Sequence, residues 1–442
     1  MRLCSTNNPN HVVSLREAVL QGLASDGGLF VPTKIPTLPP DFFRLSRIRS
    51  FHEIAFQAAQ ALFQGAILNA DLKAIIEEAF DFDAPLVRLD ATTHVLELFH
   101  GETLAFKDFG ARFLARLMKH YLNDEKRETL ILVATSGDTG SAVGRGFFGM
   151  EGFHVCLLYP SGKVSQIQEQ QLTTIGGNVV ALEIQGAFDD CQRLVKQAFL
   201  DAELRQRYQL SSANSINVAR LIPQMFYYFR AYSQLHHSLL SKPLVFSVPS
   251  GNFGNLTAGL LAKKMGLPVS KFVAATNRND VVPKYLESGR FEPKPSIQTL
   301  SNAMDVGNPS NFARMLWLYG SVEKMREDVF GASFSDAETL DGMRDVYRRY
   351  EYLAEPHAAI GYLGLERYRS ETGSQCAGIV LATAHPAKFL DAFEQAGLRK
   401  PPIPERLEQT MRKPKRSVPL PNDFGALKEF LMSMRNGRSR HR

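Results

Sequence analysis

The sequence lacks the features that are typical of secreted proteins, membrane-spanning proteins and proteins stabilised by structural metal sites. It has only four cysteines, Cys4, Cys156, Cys191 and Cys376, which lie far apart. This spacing argues against a zinc site and against a disulfide framework. The N-terminal residues contain no apolar core of signal-peptide length, and no later run approaches the roughly 18 apolar residues of a membrane span. We therefore expect a cytoplasmic protein with reduced core thiols and no membrane partner.

The chain also lacks a strong excess of one charge. Its 51 basic and 45 acidic residues give a formal net charge of +6, and much of that excess lies in the C-terminal stretches KPKRSVPLP and RNGRSRHR. A solvated basic tail explains this distribution better than a nucleic-acid-binding arm does. We expect no nucleic acid partner, and the mild excess would also suit a small phosphorylated substrate.

Hydrophobic patterning divides the chain into regions. Residues 1–90 predict a mainly helical N-terminal subdomain, because SLREAVLQGLA and FHEIAFQAAQALFQGAI repeat apolar residues at three- and four-residue spacing. After residue 90, short apolar strands such as ETLILVAT and KPLVFSVPS alternate with helical segments. This alternation predicts an α/β fold with largely parallel, buried sheets. Residues 401–442 form a C-terminal segment that carries the basic tail.

One lysine lies where a strand gives way to a helix. Lys107 follows the strand-like segment THVLELF and the step HG, and Phe109, Phe113 and Leu117 then recur at helical spacing. Two interpretations fit these residues. Lys107 either packs its stem on the phenylalanines and extends its ammonium to water or Asp108, or it is a desolvated amine that forms a Schiff base.

Two glycine-rich loops follow predicted strands and open helices, which is where ligands bind in α/β sheets. The first contains Ser136, Gly137, Asp138, Thr139 and Gly140, and the second contains Ser250, Gly251, Asn252, Phe253, Gly254 and Asn255. Backbone N–H groups in such loops converge on anions, although the same residues also form ordinary turns and helix caps. Neither loop has the GxxxxGK[ST] or the full GxGxxG pattern, so nucleotide binding is not favoured. Two phosphates, one from a cofactor and one from a substrate, would fit both loops.

Two further polar clusters have the same alternatives. In SSANSINVAR, residues Asn214, Ser215, Asn217 and Arg220 combine neutral donors with one planar cation, which suits a phosphate, but an N-cap followed by a surface arginine is also compatible. The strand GIVLATA ends at Thr383, whose hydroxyl can face a buried heteroatom. His385 follows it, and a lone histidine there is more often a satisfied core residue than a catalyst.

Seven collinear motifs resemble those of the threonine synthases, pyridoxal phosphate (PLP) enzymes with the tryptophan-synthase-β (type II) fold. The motifs span nearly the whole chain: QGLASDGGLFVP, HGETLAFKDFGARF, ATSGDTGSAV, SANSINVAR, SVPSGNFGNLTAGLLAK, TLSNAMDVGNPSNF and TAHPAKF. The long N-terminal region and LAFKDFG are similar to the bacterial and fungal type. The resemblance implies two α/β domains within residues 91–400, the smaller and mobile one inserted at about 115–215.

The resemblance also implies roles for single residues. Lys107 would hold PLP as a Schiff base, the loop of Gly251, Asn252, Phe253, Gly254 and Asn255 would hold the cofactor phosphate, and Thr383 would face the pyridine nitrogen. Ser136, Gly137, Asp138 and Thr139 would close over the amino-acid end of the substrate, and Ser215, Asn217 and Arg220 would grip its phosphate. Glu102 departs from the family pattern, because we expect proline there.

The implied activity is the conversion of O-phospho-L-homoserine and water to L-threonine and phosphate by a monomer or homodimer that needs no metal. Two alternatives remain at this point. A related phospho-lyase would release 2-oxobutyrate instead of threonine. A catalytically silent binding protein on the same fold is a different class of function, which intact Lys107, both loops and Thr383 disfavour.

Overall fold

The N-terminal region combines helices with a small antiparallel sheet. The computed structural model describes residues 1–122, 127–135 and 137–434 of the chain. In this region strands β1 (Arg2–Ser5), β2 (Val12–Ser14) and β3 (Phe30–Pro32) pair in the order β2-β1-β3, and the helices are α1 (Leu15–Gln21), α2 (Pro40–Leu45), α3 (Phe51–Phe63) and α4 (Asn69–Ala79). The helices confirm the expected pattern. The sheet was not expected, because strands of three or four residues are too short to show alternation.

Helices α1 and α3 begin at matched serine caps. Ser14 and Ser50 each accept a hydrogen bond from the backbone N–H of the third helical residue, and the carboxylates of Glu17 and Glu53 accept one from the backbone N–H of the cap residue. Such capping boxes satisfy backbone groups that a helix start otherwise leaves open.

The rest of the described chain alternates strands with helices. The strands are β4 (Leu86–Arg88), β5 (Thr93–Glu97), β6 (Thr129–Ala134), β7 (Phe153–Pro160), β8 (Val179–Ile184), β9 (Gln209–Ser211), β10 (Leu244–Pro249), β11 (Lys271–Thr276), β12 (Val329–Ser333), β13 (Ala377–Ala382) and β14 (Ser417–Leu420). The helices are α5 (Lys107–Leu122), α6 (Asp138–Phe147), α7 (Gln166–Thr173), α8 (Phe188–Leu200), α9 (Ala202–Arg207), α10 (Val218–Leu221), α11 (Gln224–Gln234), α12 (Gly254–Lys264), α13 (Val281–Ser288), α14 (Phe312–Tyr319), α15 (Val322–Asp328), α16 (Asp336–Tyr350), α17 (Pro356–Thr372), α18 (Leu390–Gln395), α19 (Glu405–Met411) and α20 (Phe424–Ser433). Short 3-10 helices span Ser46–Ile48, His237–Leu239, Asn302–Met304 and Pro386–Lys388.

The larger sheet has six strands in the order β12-β11-β10-β13-β5-β4. All neighbours are parallel except β4, which runs antiparallel to β5 at the edge. Strands β10 and β13 are buried along their whole length, as expected for a parallel sheet covered on both faces. The carboxyl ends of β5, β10 and β13 therefore meet at one edge.

The smaller sheet has five parallel strands in the order β14-β8-β7-β6-β9. Four of them come from the stretch between β5 and β10, and β14 comes from the C-terminal segment. The two α/β layers confirm the expected fold class. The domain boundaries at residues 90, 115, 215 and 400 stay predictions.

The first basic stretch of the C-terminal segment is structured. Lys415 Nζ lies 2.7 Å from Glu169 Oε1 and 2.8 Å from Glu183 Oε2, just before β14. Residues 412–416 are exposed, as expected for a solvated stretch, and the chain then enters the smaller sheet as β14. The second stretch, from residue 435 onward, lies outside the described residues.

Buried thiols agree with the sequence analysis. All four cysteines are buried and free. None of the helices in the described ranges is long and apolar enough to cross a membrane.

Candidate active site

Lys107 is the first residue of α5, beside the end of β13. Phe106 N donates to Thr383 O at 2.9 Å, and Ala105 forms an isolated bridge with Ala384. Two residues into the helix, Phe109 packs against several aromatic rings of the core, including Phe82 at 4.8 Å between centroids. The helix that carries Lys107 is therefore fixed by the core, and the turn before it is fixed to β13.

Charged groups surround Lys107. Burial lowers the pKa of Lys107, the carboxylate of Asp138 opposes that shift, and the cations of Lys388 and Arg220 add to it. A lowered pKa makes the neutral, nucleophilic amine more accessible near pH 7. The environment thus favours the second sequence interpretation over a lysine that merely extends to water.

Asp108 does not serve as a surface partner of Lys107. Its carboxylate is buried and accepts from Thr103 N at 2.8 Å and from Thr103 Oγ1 at 2.7 Å. Burial raises its pKa to about 6, although Thr103 and the charge of Lys388 oppose this rise. Asp108 therefore shapes the turn that precedes Lys107.

The loop after β6 is organised by one threonine. Thr135 Oγ1 accepts from Gly137 N at 3.0 Å and from Gly140 N at 2.9 Å. Gly137 has φ of 143°, and a Cβ there would lie 2.7 Å from the side chain of Gln168. Only glycine fits this position without displacing a neighbour. Thr139 is half-buried in the first turn of α6, and Ser136 lies outside the described residues.

Asp138 at the start of α6 forms a buried ion pair. Its Oδ1 lies 2.5 Å from Lys388 Nζ and accepts from Gln168 Nε2 at 3.1 Å. Burial alone would raise the pKa of Asp138, but the charges of Lys388 and Lys107 outweigh it and hold the pKa at about 2. Asp138 is therefore a carboxylate in the working pH range.

The loop after β10 has a backbone that other residues would not adopt easily. A Cβ on Gly251 would lie 2.6 Å from Met304 Cα, so the loop requires glycine there. Phe253 takes a left-handed conformation with φ of 59° and precedes Gly254, the first residue of α12. Such conformations in non-glycine residues cost free energy and concentrate at ligand-binding positions.

Asn255 presents a buried donor without a partner. Its Oδ1 accepts from Tyr227 Oη at 2.6 Å and from Tyr228 Oη at 2.7 Å. These contacts fix the orientation of the amide, and among the described residues its Nδ2 has no hydrogen-bond partner. A buried N–H group left open in this way fits an anionic ligand oxygen.

Asn252 links the loop after β10 to two others. Its Nδ2 donates to Ser215 Oγ at 2.6 Å, and its Oδ1 accepts from Ser310 N at 2.6 Å. Arg314, fully buried on α14, extends this junction by donating to Asn311 Oδ1 at 2.7 Å and to the backbone around Ser215.

Arg220 lies under α5. It donates to Ala213 O, and among the described residues its buried Nε has no partner. Burial lowers its pKa to about 10, which still leaves a full positive charge at pH 7. A Cβ on Gly110 would lie 2.7 Å from Arg220 Nε, so the guanidinium can occupy this position only because residue 110 has no side chain.

Asn217 holds the helix that carries Arg220. Its Oδ1 accepts from Ala219 N at 3.0 Å, and its Nδ2 donates to Val19 O at 2.9 Å. These contacts use the side chain to cap α10 and to tie it to α1. Direct contact between Asn217 and a substrate stays a prediction.

Two residues of interest have local roles. His385 Nδ1 accepts from Ala387 N at 3.1 Å, and burial lowers its pKa to about 4, so it is a neutral capping residue. Glu102 Oε1 lies 3.4 Å from Arg145 Nη1. The charge of Glu102 is thus directed toward a cation on α6.

The cluster as a whole suits phosphate groups. Buried N–H groups of Asn255, Arg220 and Asn311 have no partners within the described residues. No group of side chains that could hold a metal ion occurs in the described ranges. Unpaired buried donors are expected where an anion supplies the missing acceptors.

Sequence reasoning missed four residues that organise the site, namely Thr135, Gln168, Arg314 and Lys388. Lys388 and Arg314 lie within or next to the motifs TAHPAKF and TLSNAMDVGNPSNF, so motif membership gave a signal. Thr135 directly precedes its loop. Gln168 lies on α7 with no local pattern that marks it.

Comparisons with protein families cover almost the whole chain. Residues 81–382 match the family described as pyridoxal-phosphate dependent enzyme. Residues 2–80 match the threonine synthase N terminus, and residues 358–431 match the threonine synthase C-terminal family.

Individual proteins are similar over the same length. A threonine synthase of Haemophilus influenzae is 44% identical over 98% of this chain and 100% of its own length. The crystal structure of threonine synthase from Escherichia coli has a TM-score of 0.89 at 42% identity, covering 98% of this chain and 99% of that one. The PLP-bound threonine synthase from Brucella melitensis has a TM-score of 0.92 at 36% identity, covering 99% of this chain and 100% of that one.

Proposed function

The chain belongs to the threonine synthases, a PLP-dependent enzyme family, and we propose from this premise how its residues convert O-phospho-L-homoserine and water to L-threonine and phosphate. The main support for this activity is the full-length similarity to a threonine synthase, at 44% identity over 98% of this chain. The reaction makes the enzyme a lyase of threonine biosynthesis.

The buried donors and the glycine loop fit the phosphate of PLP. Asn255 Nδ2 has no partner among the described residues, and Gly251 allows close backbone approach. We assign the cofactor phosphate to residues 251–255 and the covalent attachment to Lys107. The Thr383 hydroxyl would contact the pyridine nitrogen, and a neutral hydroxyl cannot stabilise a protonated ring as a carboxylate would.

Lys107 is assigned two successive tasks. It would hold the cofactor covalently and, as a free amine once the substrate is bound, would remove the proton at the substrate Cα. Bound PLP supplies an electron sink that stabilises negative charge at that carbon. The lowered pKa of Lys107 supports this assignment, because an amine must be deprotonated before it can accept a proton.

Arg220 and Ser215 are assigned to the phosphate of the substrate. Loss of a second proton at Cβ expels the γ-phosphate, and the Arg220 guanidinium would stabilise the charge that develops on it. Its buried position and open Nε support this role. A proton added at Cγ, the hydroxyl of water added at Cβ and a proton returned to Cα would complete threonine.

The loop from Ser136 to Thr139 is assigned to the amino-acid end of the substrate. It opens α6, whose first backbone N–H groups favour a carboxylate. Within it, Thr135 accepts from Gly137 N and Gln168 donates to Asp138, so these two residues are held in place.

Product analysis tests the function directly. The purified protein, incubated with O-phosphohomoserine, should release phosphate and threonine in equal amounts. Phosphate with 2-oxobutyrate would instead identify a phospho-lyase, and no turnover together with no visible cofactor absorbance would indicate a silent binding protein.

We further propose that the enzyme acts in the cytoplasm as a monomer or homodimer without a nucleic acid partner. Four buried, free cysteines are consistent with a reducing compartment. Light scattering of the purified chain would test the oligomeric state.

A further inference from the structure

A second lysine lies in the charged cluster around Lys107. Lys388 ends the 3-10 helix that follows β13, and its side chain is fully buried. Its Nζ lies 2.5 Å from Asp138 Oδ1 and donates to Thr103 O at 3.0 Å. One ammonium group thus joins the end of β13, the start of α6 and the turn that precedes Lys107.

Helix α7 makes the same connection from another side. Gln168 donates to Asp138 Oδ1 at 3.1 Å, and Gln171 donates to Thr103 O at 3.1 Å. Each of the two acceptors therefore receives one bond from Lys388 and one from α7. Such a closed network holds Asp138 and Thr103 at a fixed separation.

Charge gives Lys388 a second effect. Asp138 belongs to the loop assigned to a substrate that carries both a carboxylate and a phosphate. An uncompensated buried carboxylate at this place would repel both groups, and buried charges require a partner. Lys388 supplies that partner at hydrogen-bonding distance.

We propose that Lys388 is a positioning residue of the reaction, which holds the start of α6 against the Lys107 turn and cancels the charge of Asp138 so that an anionic substrate can bind. The proposal rests on the proposed function for the identity of the substrate. Lys388 itself forms no bond to the substrate in this scheme and acts through Asp138.

The test compares Lys388→Gln with Lys388→Arg and with the double variant Lys388→Gln, Asp138→Asn. Glutamine keeps a donor but removes the charge, so we expect KM for O-phosphohomoserine to rise at least tenfold while kcat falls less than threefold. The double variant should recover part of the lost affinity, because no bare carboxylate remains. Lys388→Arg keeps the charge, so its KM should lie between that of Lys388→Gln and that of the unmodified enzyme.

Lys263→Gln is a matched control. Lys263 pairs with Asp328 at 2.7 Å near the C-terminal end of α12, at the opposite end of that helix from the cofactor loop. Its replacement should leave KM unchanged. If Lys388 had a purely structural role, Lys388→Gln would lower the stability of the protein without raising KM more than it lowers kcat.

A second measurement is independent of turnover. Hydrogen exchange of residues 137–147 in the cofactor-free protein should increase in Lys388→Gln, because the start of α6 loses its anchor. A KM within twofold of normal with unchanged exchange would overturn the proposal, as would a double variant whose losses simply add. If Lys388→Gln alone fails to fold, the double variant should fold, and an unfolded double variant would contradict the proposal as well. If the unmodified enzyme does not convert O-phosphohomoserine, the proposed function is wrong. The hydrogen-exchange measurement then tests by itself whether Lys388 anchors the start of α6.

Discussion

Asn252 Nδ2 donates to Ser215 Oγ at 2.6 Å, and this hydrogen bond joins the two loops that we assign to different phosphates. The amide oxygen of Asn252 accepts from Ser310 N at 2.6 Å, so its side chain is held from both sides. We therefore expect these two loops to be coupled.

Ser215→Ala tests this coupling. The change removes one acceptor from the Asn252 amide. We expect PLP affinity to fall and KM for O-phosphohomoserine to rise, each by roughly fivefold, which corresponds to about 1 kcal/mol. Titration of the cofactor-free enzyme with PLP and steady-state kinetics measure the two quantities. Ser212→Ala in the same loop is the control, because its hydroxyl accepts from the neighbouring Asn214 N at 3.4 Å and not from Asn252. A change in one quantity alone would argue against coupling.

Lys107 should be the lysine that carries the cofactor. Borohydride reduction followed by peptide mapping should place the label on Lys107 and leave Lys388 unlabelled, although both lie in the same cluster. The ion pair with Asp138 keeps Lys388 engaged, whereas burial makes Lys107 easier to deprotonate. A label on Lys388 would show that Lys388, and not Lys107, carries the cofactor.

Local patterns were sufficient to predict that parallel sheets follow residue 90 and that Lys107 lies where a strand gives way to a helix. Alternating apolar strands and helices indicate parallel sheets, and the change from strand to helical spacing identifies the start of α5. Both signals are contained in short windows of sequence.

Long-range contacts were not predictable in this way. Lys388 and Asp138 are 250 positions apart, and β14 pairs with β8 across more than 200 residues. No periodicity encodes such pairings, because they depend on how the two sheets are placed. The same limit explains why the sequence did not predict that the exposed stretch around Lys415 leads into a strand of the smaller sheet.

Thr383→Asp should change the chemistry that the cofactor supports. A carboxylate beside the pyridine nitrogen would favour its protonation and divert part of the reaction toward transamination. The measurement is the ratio of threonine to side products, with Thr383→Ser as the control that keeps a hydroxyl. Unchanged product ratios in Thr383→Asp would remove Thr383 from this role.

Asp108 should make stability depend on pH. Its pKa of about 6 in the folded protein lies above the ordinary value of 3.8, so the folded state binds the extra proton between these values. Stability from this group is therefore present below about pH 4 and is lost as the pH rises through about 6, by at most about 3 kcal/mol. In Asp108→Asn, urea unfolding at pH 4 to 7 should lack this decline. Parallel curves for both proteins would contradict the assignment.

Arg220 is expected to bind the phosphate of the substrate and not that of the cofactor. Removing a buried cation paired with phosphate should cost roughly 2 to 5 kcal/mol, which corresponds to a loss in kcat/KM of about thirtyfold to several thousandfold. Arg220→Lys should recover only part of this loss, because an ammonium lacks the planar fork of donors. PLP occupancy of Arg220→Ala, measured by absorbance, should stay near normal. Lost PLP in a folded variant would mean that the two phosphate sites are exchanged.

Gly110→Ala reaches the same guanidinium without altering it. A Cβ at this position would lie 2.7 Å from Arg220 Nε and 2.8 Å from Arg220 O, and the carbonyl cannot move unless α10 moves. Alanine normally stabilises a helix interior by about 0.5 to 1 kcal/mol relative to glycine. Here we expect the variant to lose kcat/KM as Arg220→Ala does, while it keeps its PLP absorbance. Gly425→Ala on α20 should leave the kinetics unchanged, because among the described residues its Cβ would meet only the Asp423 side chain, at 3.0 Å. Normal kinetics in Gly110→Ala would show that the reaction does not depend on where Arg220 lies.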